Sequence, residues 1–139
     1  FPTISKGVVM VQSEVADRLV AKPGTAAYGI PTVKFAYWVQ ATRVGNVSPQ
    51  VFWPIPRVDS GLVSFIRTRQ SQVDRKLLFS IIDAAFAQRR KTLRSGLAGL
   101  AGSPAIAEQW LEGCGLSIRT RGEELALEDF EALVRAFPQ

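Results

Sequence analysis

Residues 7–12, Gly7-Val8-Val9-Met10-Val11-Gln12, form a nearly unbroken apolar run, the pattern of a strand covered on both faces. Ser13 then offers an N-cap, Glu14 places negative charge in a first helical turn, and Val15, Leu19 and Val20 make an apolar stripe that Pro23-Gly24 ends. A strand passing within one residue into a helix is half of a βαβ unit, which points to the α/β class. Pro31 suits the first turn of a second helix reaching about Val39, with Val33, Phe35, Ala36, Tyr37 and Trp38 as packing candidates. Its rings suit a core better than a platform for bases. A strand over residues 41–47 follows, and another over 61–66. Between them, Pro54 and Pro56 remove backbone donors and hold their predecessors extended, so residues 51–60 read as a rigid loop. The loop is too short to contain a crossover helix, so the two strands should pair antiparallel.

The chain is polar over residues 67–76, the best candidate boundary, and helical in pattern beyond it. Leu78, Ile82, Ala85, Phe86, Leu93 and Leu97 recur at three- and four-residue spacing, predicting a helix with one buried stripe over residues 77–97. Gly96, Gly99 and Gly102 should end it. Ser103-Pro104 starts a further helix with a cap and an N1 proline, and Gly113 and Gly115 stop it around Cys114. Residues 127–137 form another, with Glu128 and Asp129 in its first turn and Phe130, Leu133, Val134 and Phe137 on one face. Three short helices can share one small core.

Charge changes the picture of that first long helix. Gln88-Arg89-Arg90-Lys91-Thr92-Leu93-Arg94 packs four cations into two turns, and no carboxylate stands four residues beyond any of them. Arg90, Lys91 and Arg94 fall opposite the apolar stripe, whereas Arg89 reaches its edge and needs a carboxylate, a carbonyl or a phosphate as partner. A solvated cationic face is the plain alternative. The whole chain of 139 residues carries a net charge of +5, which suggests a polyanion, nucleic acid before membrane, because no long apolar span accompanies it. With no histidine and a single cysteine in these residues, the commonest general base, an intramolecular disulfide and a cysteine-rich zinc site are all excluded. A reducing, cytoplasmic compartment fits. The 47% hydrophobic content argues for a packed core. No initiator Met is present and a strand begins almost at once, which suggests a piece of something longer; Phe1 to Lys6 are too short and polar for a signal peptide.

Phe52 and Trp53, just before Pro-x-Pro, either present ring faces to an unstacked base or seal the end of the sheet. Asp59-Ser60 would brace that loop, Cys114 reads as a small core residue, and Arg119 and Arg121 have Glu123-Glu124 close by for neutralisation. No Gly-rich phosphate loop, metal set or nucleophile–base pair can be read.

Three ordered motifs carry a resemblance. Phe52-Trp53-Pro54-Ile55-Pro56-Arg57-Val58-Asp59-Ser60, Ala85-Phe86-Ala87-Gln88-Arg89-Arg90-Lys91-Thr92-Leu93-Arg94 and Arg121-Gly122-Glu123-Glu124-Leu125-Ala126-Leu127-Glu128-Asp129-Phe130 are similar to the closing motifs of the KsgA-type ribosomal RNA adenine dimethyltransferases. Residues 7–21 and Tyr28-Gly29 also resemble that family, so the likeness covers nearly the whole chain. It implies an α/β fold: the back half of a Rossmann-like methyltransferase domain over residues 1–68, then a small all-helical domain over 69–139. It also implies S-adenosylmethionine as donor, two neighbouring adenosines near the 3′ end of small-subunit rRNA as target, and the immature 30S subunit as partner. By the same match Phe52 packs on the flipped adenine, while Arg89, Arg90, Lys91, Arg94 and Arg121 bind rRNA. The family's cofactor-binding glycine motif and its Asn-Leu-Pro-Tyr-type motif have no counterpart in these residues. This stretch alone is therefore expected neither to hold the donor nor to methylate, and residues 7–12 to form a raw sheet edge. Three alternatives remain open: a non-catalytic RNA-binding or ribosome-assembly module, a macrolide-resistance-type methyltransferase of large-subunit rRNA, and a DNA-binding relative of the mitochondrial transcription-factor kind.

Overall fold

A computed structural model describes residues 6–47, 50, 59–67, 73–87 and 91–138. Strand β1 (Lys6–Gln12) runs straight into helix α1 (Ser13–Leu19), and helix α2 (Ile30–Trp38) runs straight into β2 (Val39–Val47). β3 (Ser60–Arg67) then lies between the other two strands and antiparallel to both. β1 and β2 therefore point the same way. The strand-to-helix start is thus a genuine crossover, and the later strand is inserted between its two ends, so every described ladder is antiparallel. The pairing of β2 with β3 agrees with the short-loop argument, with an irregularity between Arg43 and Gly45.

Three local expectations need correction. β1 is not covered on both faces, as its apolar run alone suggested, but forms the exposed edge that the family likeness implied: Val8 is 60% exposed and Met10 50%, and the helices pack on central β3 instead. Gly61 makes that packing possible, since a Cβ there would stand 2.7 Å from the Ala16 Cβ of α1. α1 consequently buries Ala16, while Val15 remains 40% exposed. Ser13 is the first residue of α1 rather than its cap, and its hydroxyl accepts a hydrogen bond from Arg43 at 2.7 Å.

The helices beyond are α3 (Arg75–Phe86), α4 (Leu93–Ala101), α5 (Pro104–Gly113) and α6 (Leu127–Arg135), with a 3-10 turn at Gly122–Glu124. Asp74 caps α3 through the amides of Lys76 and Leu77, and Ser103 caps α5 through that of Ile106. Gly102 and Gly115 take positive φ, as helix-terminating glycines do. The helix expected over residues 77–97 is two helices. Thr92 is extended (φ −73°, ψ 163°), and the Leu93 N–H donates to the Thr120 carbonyl at 2.8 Å instead of continuing a helical ladder. The stripe is nevertheless kept, since Leu78, Ile82, Ala85, Leu93 and Leu97 are all buried. Gly96 and Gly99 lie inside α4 rather than ending it.

One cluster of buried side chains joins the halves: Tyr28, Val33 and Tyr37 pack in the same core as Leu78, Ile82, Leu97, Trp110 and Phe130. α2 meets α3 through rings and charges. Tyr37 stands edge-on to Phe79 at 5.6 Å, Lys34 pairs with Asp83 at 2.8 Å, and the Arg75 guanidinium lies 5.4 Å from the Trp38 ring. The ring-rich α2 is thus used largely for packing, as its pattern suggested.

Two glycines set how closely the backbones approach at the end of α3. A Cβ on Gly96 would stand 2.9 Å from the Ala84 carbonyl oxygen and one on Gly122 2.8 Å from that of Ala85, whereas Gly99 has nothing within 4 Å. Gly96→Ala and Gly122→Ala should each cost about 1–3 kcal/mol in urea unfolding. Gly99→Ala, in the same helix as Gly96, should instead be neutral or stabilise by about 0.5–1 kcal/mol.

Candidate nucleic-acid interface

The residues from Thr120 to Leu125 form a strap that collects the chain's distant parts. Its Thr120 carbonyl accepts the Leu93 N–H at 2.8 Å, and Gly122 lies against Ala85 at the end of α3. On its other side, the Glu123 carbonyl accepts the Gly24 N–H at 2.8 Å, and the Leu125 carbonyl accepts the Tyr28 hydroxyl. Arg121 stands on this strap. Lys91 and Arg94 stand at the helix start bonded to it, so the strap brings cations about thirty residues apart in sequence to one corner.

The cations differ in what they face. Lys91 is exposed and makes no ion pair among the described residues. Arg121 is 48% exposed, with its Nη1 3.9 Å from Glu123, a loose approach rather than a hydrogen bond. Arg94 is different: its Nε lies 3.0 Å from Glu108 of α5 but makes no well-aligned hydrogen bond, so the pairing is ionic. Its partner comes from another helix, which a search four residues along the same helix cannot find. A half-exposed pair of this kind is worth about 0–1 kcal/mol and yields readily to a phosphate. Phe52, Arg89 and Arg90 lie outside the described residues, as does Trp53.

Two side chains with structural leverage carried no local signal. Arg43 of β2 donates to Asp17 and Ser13 of α1 and to Asn46. The Ser13 N–H in turn donates to the Asp59 carbonyl at 2.9 Å, so α1 is riveted to both strands where β2 ends and β3 begins. Tyr28, only 6% exposed, has its acceptor 97 residues away. Cys114 is half-buried beside α6, its Sγ 3.6 Å from the Ala132 carbonyl, and burial pushes its thiol pKa up. It packs against α6 as a small core residue does.

Two cavities reach the sheet. One of about 600 Å³ is lined by Val9, Leu19, Phe35, Trp38, Val39, Phe65 and Arg67 and contains no carboxylate to hold a ribose. Another, of about 490 Å³, includes Tyr28, Glu128 and Glu131. Both abut Val39, the first residue of β2, and the larger of the two also reaches Arg67, the last residue of β3; ligands of doubly wound sheets sit at the carboxyl ends of strands against a glycine turn. The positive-φ glycines, Gly24, Gly102 and Gly115, do not follow strands. Among the described residues no group of three or more His, Cys, Asp or Glu side chains could hold a metal ion, and no helix is long and apolar enough to cross a membrane.

A family model described as ribosomal RNA adenine dimethylase matches residues 1–137. Ribosomal RNA small subunit methyltransferase A of Kineococcus radiotolerans is 55% identical over 99% of this chain, which covers 47% of that relative. The protein of the same name from Cutibacterium acnes is 51% identical, with 99% of this chain and 49% of the relative covered. The chain thus spans about half the length of the curated relatives it matches. A dimethyladenosine transferase structure from Plasmodium falciparum superposes with a TM-score of 0.84 over 98% of this chain and 58% of that one, at 24% identity. The 23S rRNA methyltransferase ErmE gives 0.69 over 99% and 57%, at 20%. At those identities the structures speak for the fold alone, an α/β fold shared with rRNA methyltransferases.

Burial, helped by the charges of Glu128 and Asp129, pushes the Tyr28 phenol up to about 12 from 10.0. A neutral phenol favoured in the folded state contributes fully below pH 10 and loses that contribution as pH rises toward 12, while only the unfolded chain ionises. Relative to Tyr28→Phe, the native chain should therefore lose about 2–3 kcal/mol between pH 10 and 12. Urea titrations of both proteins across that range measure it.

Proposed function

The chain belongs to the ribosomal RNA adenine dimethylase family, and we propose that the complete protein uses S-adenosylmethionine to dimethylate N6 of two neighbouring adenosines near the 3′ end of small-subunit rRNA. The family match over residues 1–137 carries this reading. The likeness of this chain to relatives named ribosomal RNA small subunit methyltransferase A favours the small subunit over the large one. We assign residues 1–68 to the back of a Rossmann-like methyltransferase domain and 69–139 to a helical rRNA-binding unit. The immature 30S particle in the cytoplasm is the proposed substrate.

Within that reading, this chain supplies RNA contacts and the end of the sheet, while the donor is held by residues outside it. Lys91, Arg94 and Arg121, with Arg89 and Arg90 in the same motif, engage phosphates. A corner built on backbone hydrogen bonds holds such cations at fixed spacing, which suits a folded RNA surface better than a flexible tail would. The target N6 lies in a stacked base and must be extruded before any methyl group can reach it, and Phe52 offers the ring on which the extruded adenine rests.

In the complete protein, Lys91→Ala with Arg121→Ala should weaken binding to small-subunit rRNA. The log–log salt dependence should flatten by about 0.7–0.9 for each phosphate that the protein no longer neutralises. Equal affinity and slope with the fold intact would remove the basic corner from the interface. Phe52→Ala should lower the methylation rate at least tenfold while leaving rRNA affinity within about twofold, since the ring acts on the flipped base only. RNA binding by the native protein with no methyl transfer from the donor would favour the non-catalytic assembly module instead.

A further inference from the structure

We infer that Tyr28 is a positioning residue: its hydroxyl, bonded to the Leu125 carbonyl, restrains the strap that carries part of the basic corner and so tunes how bound RNA is presented for methyl transfer. The inference rests on the rRNA methylation reading above and adds a residue to it. The strap has two sets of ties. Thr120 and Gly122 join it to the start of α4 and the end of α3, where the cations stand. Glu123 and Leu125 join it to Gly24 and Tyr28 in the connection between α1 and α2.

From Tyr28 the path to the sheet contains no loose link. Thr32, in the first turn of α2, accepts the Gly29 N–H at 3.2 Å and donates to the Arg18 carbonyl at 2.5 Å, which locks α2 to the end of α1. α2 then passes into β2 without an intervening residue. Movement of the strap is thereby movement of the cations against the sheet end.

The hydroxyl can be removed without removing the packing. The Tyr28 ring lies 6.1 Å from that of Phe86 inside the shared core, and the Tyr37–Phe79 contact and the Lys34–Asp83 pair keep α2 on α3, so what the hydroxyl adds is the position of the strap over them. Tyr28→Phe should thus keep the fold while leaving the strap held to this connection by Gly24 alone among these two bonds. A displacement of about 1 Å at a reacting centre can cost on the order of a hundredfold in rate, so a small loosening should be read in kcat before it is read in affinity.

Two measurements on the complete protein test this. In the first, protein whose native cysteines, Cys114 included, are replaced by alanine carries spin labels on cysteines placed at exposed Val44 and Ile118. Tyr28→Phe should broaden or shift the distance distribution between them, and an unchanged distribution overturns the inference. In the second, Tyr28→Phe should lower kcat on small-subunit rRNA about tenfold, with donor affinity and RNA KM within twofold. In a background of Lys91→Ala with Arg121→Ala, where the corner no longer guides the RNA, the same change should have less than a twofold effect. A lowered Tm with unchanged kcat, or an equal loss in both backgrounds, means that the hydroxyl only stabilises and overturns the inference. If the parent protein binds RNA without methylating it, the functional reading fails, while the distance measurement still decides whether Tyr28 holds the corner.

Discussion

The close approach of one backbone segment to the end of α3 is the constraint on which the rest depends. Gly122 lies where any side chain would collide with the Ala85 carbonyl, and Gly96 meets the Ala84 carbonyl in the same way. Because the strap can come that close, Thr120 satisfies the Leu93 amide, which a continuous helix would have satisfied internally. The helix break is thereby stabilised rather than tolerated. It turns α4 against α3, so one apolar stripe seals a core from both sides.

That corner is tied to a sheet whose topology follows from the same economy of backbone hydrogen bonds. β1 and β2 run in one direction with β3 between them, so the β1-to-β2 passage over α1 and α2 closes around a strand that arrives later in the chain. The central strand takes the cover: Val63 is fully buried and α1 sits on Gly61, while apolar β1 is left at the edge. Arg43 then holds α1 against β2 with three acceptors, two of them on α1. A guanidinium is suited to this, since its planar fork satisfies several acceptors at once.

The electrostatics of the basic corner follow from these placements. A cation inside a helix of its own would be judged by its neighbours three and four residues away, and by that measure Lys91 and Arg94 stand alone while Arg121 has Glu124. The tertiary fold places Glu108 beside Arg94, while Lys91 is exposed and Arg121 has only the loose approach of Glu123. The two exposed cations are therefore the more open to an outside anion, whereas Arg94 already has a carboxylate beside it.

The periodic and punctuating residues of the sequence determined most of the elements by themselves. Pro31, the capping Ser103 and the helix-ending Gly102 and Gly115 mark boundaries found within a residue or two, and the β2–β3 pairing followed from the shortness of residues 48–59. These features are local, so local sequence suffices. The stripe from Leu78 to Leu97 was equally legible as a buried face, but periodicity continues in phase through a break and cannot report one. What meets the Leu93 amide after the break is a carbonyl at Thr120, twenty-seven residues on, and what Tyr28 needed was one at Leu125, ninety-seven residues on. Backbone carbonyls are the same in every residue, so no side-chain pattern announces which of them a distant donor will meet. The motifs around Lys91 and Arg121 carried the family likeness; that they share one corner was decided only by the packing of Gly122 on α3.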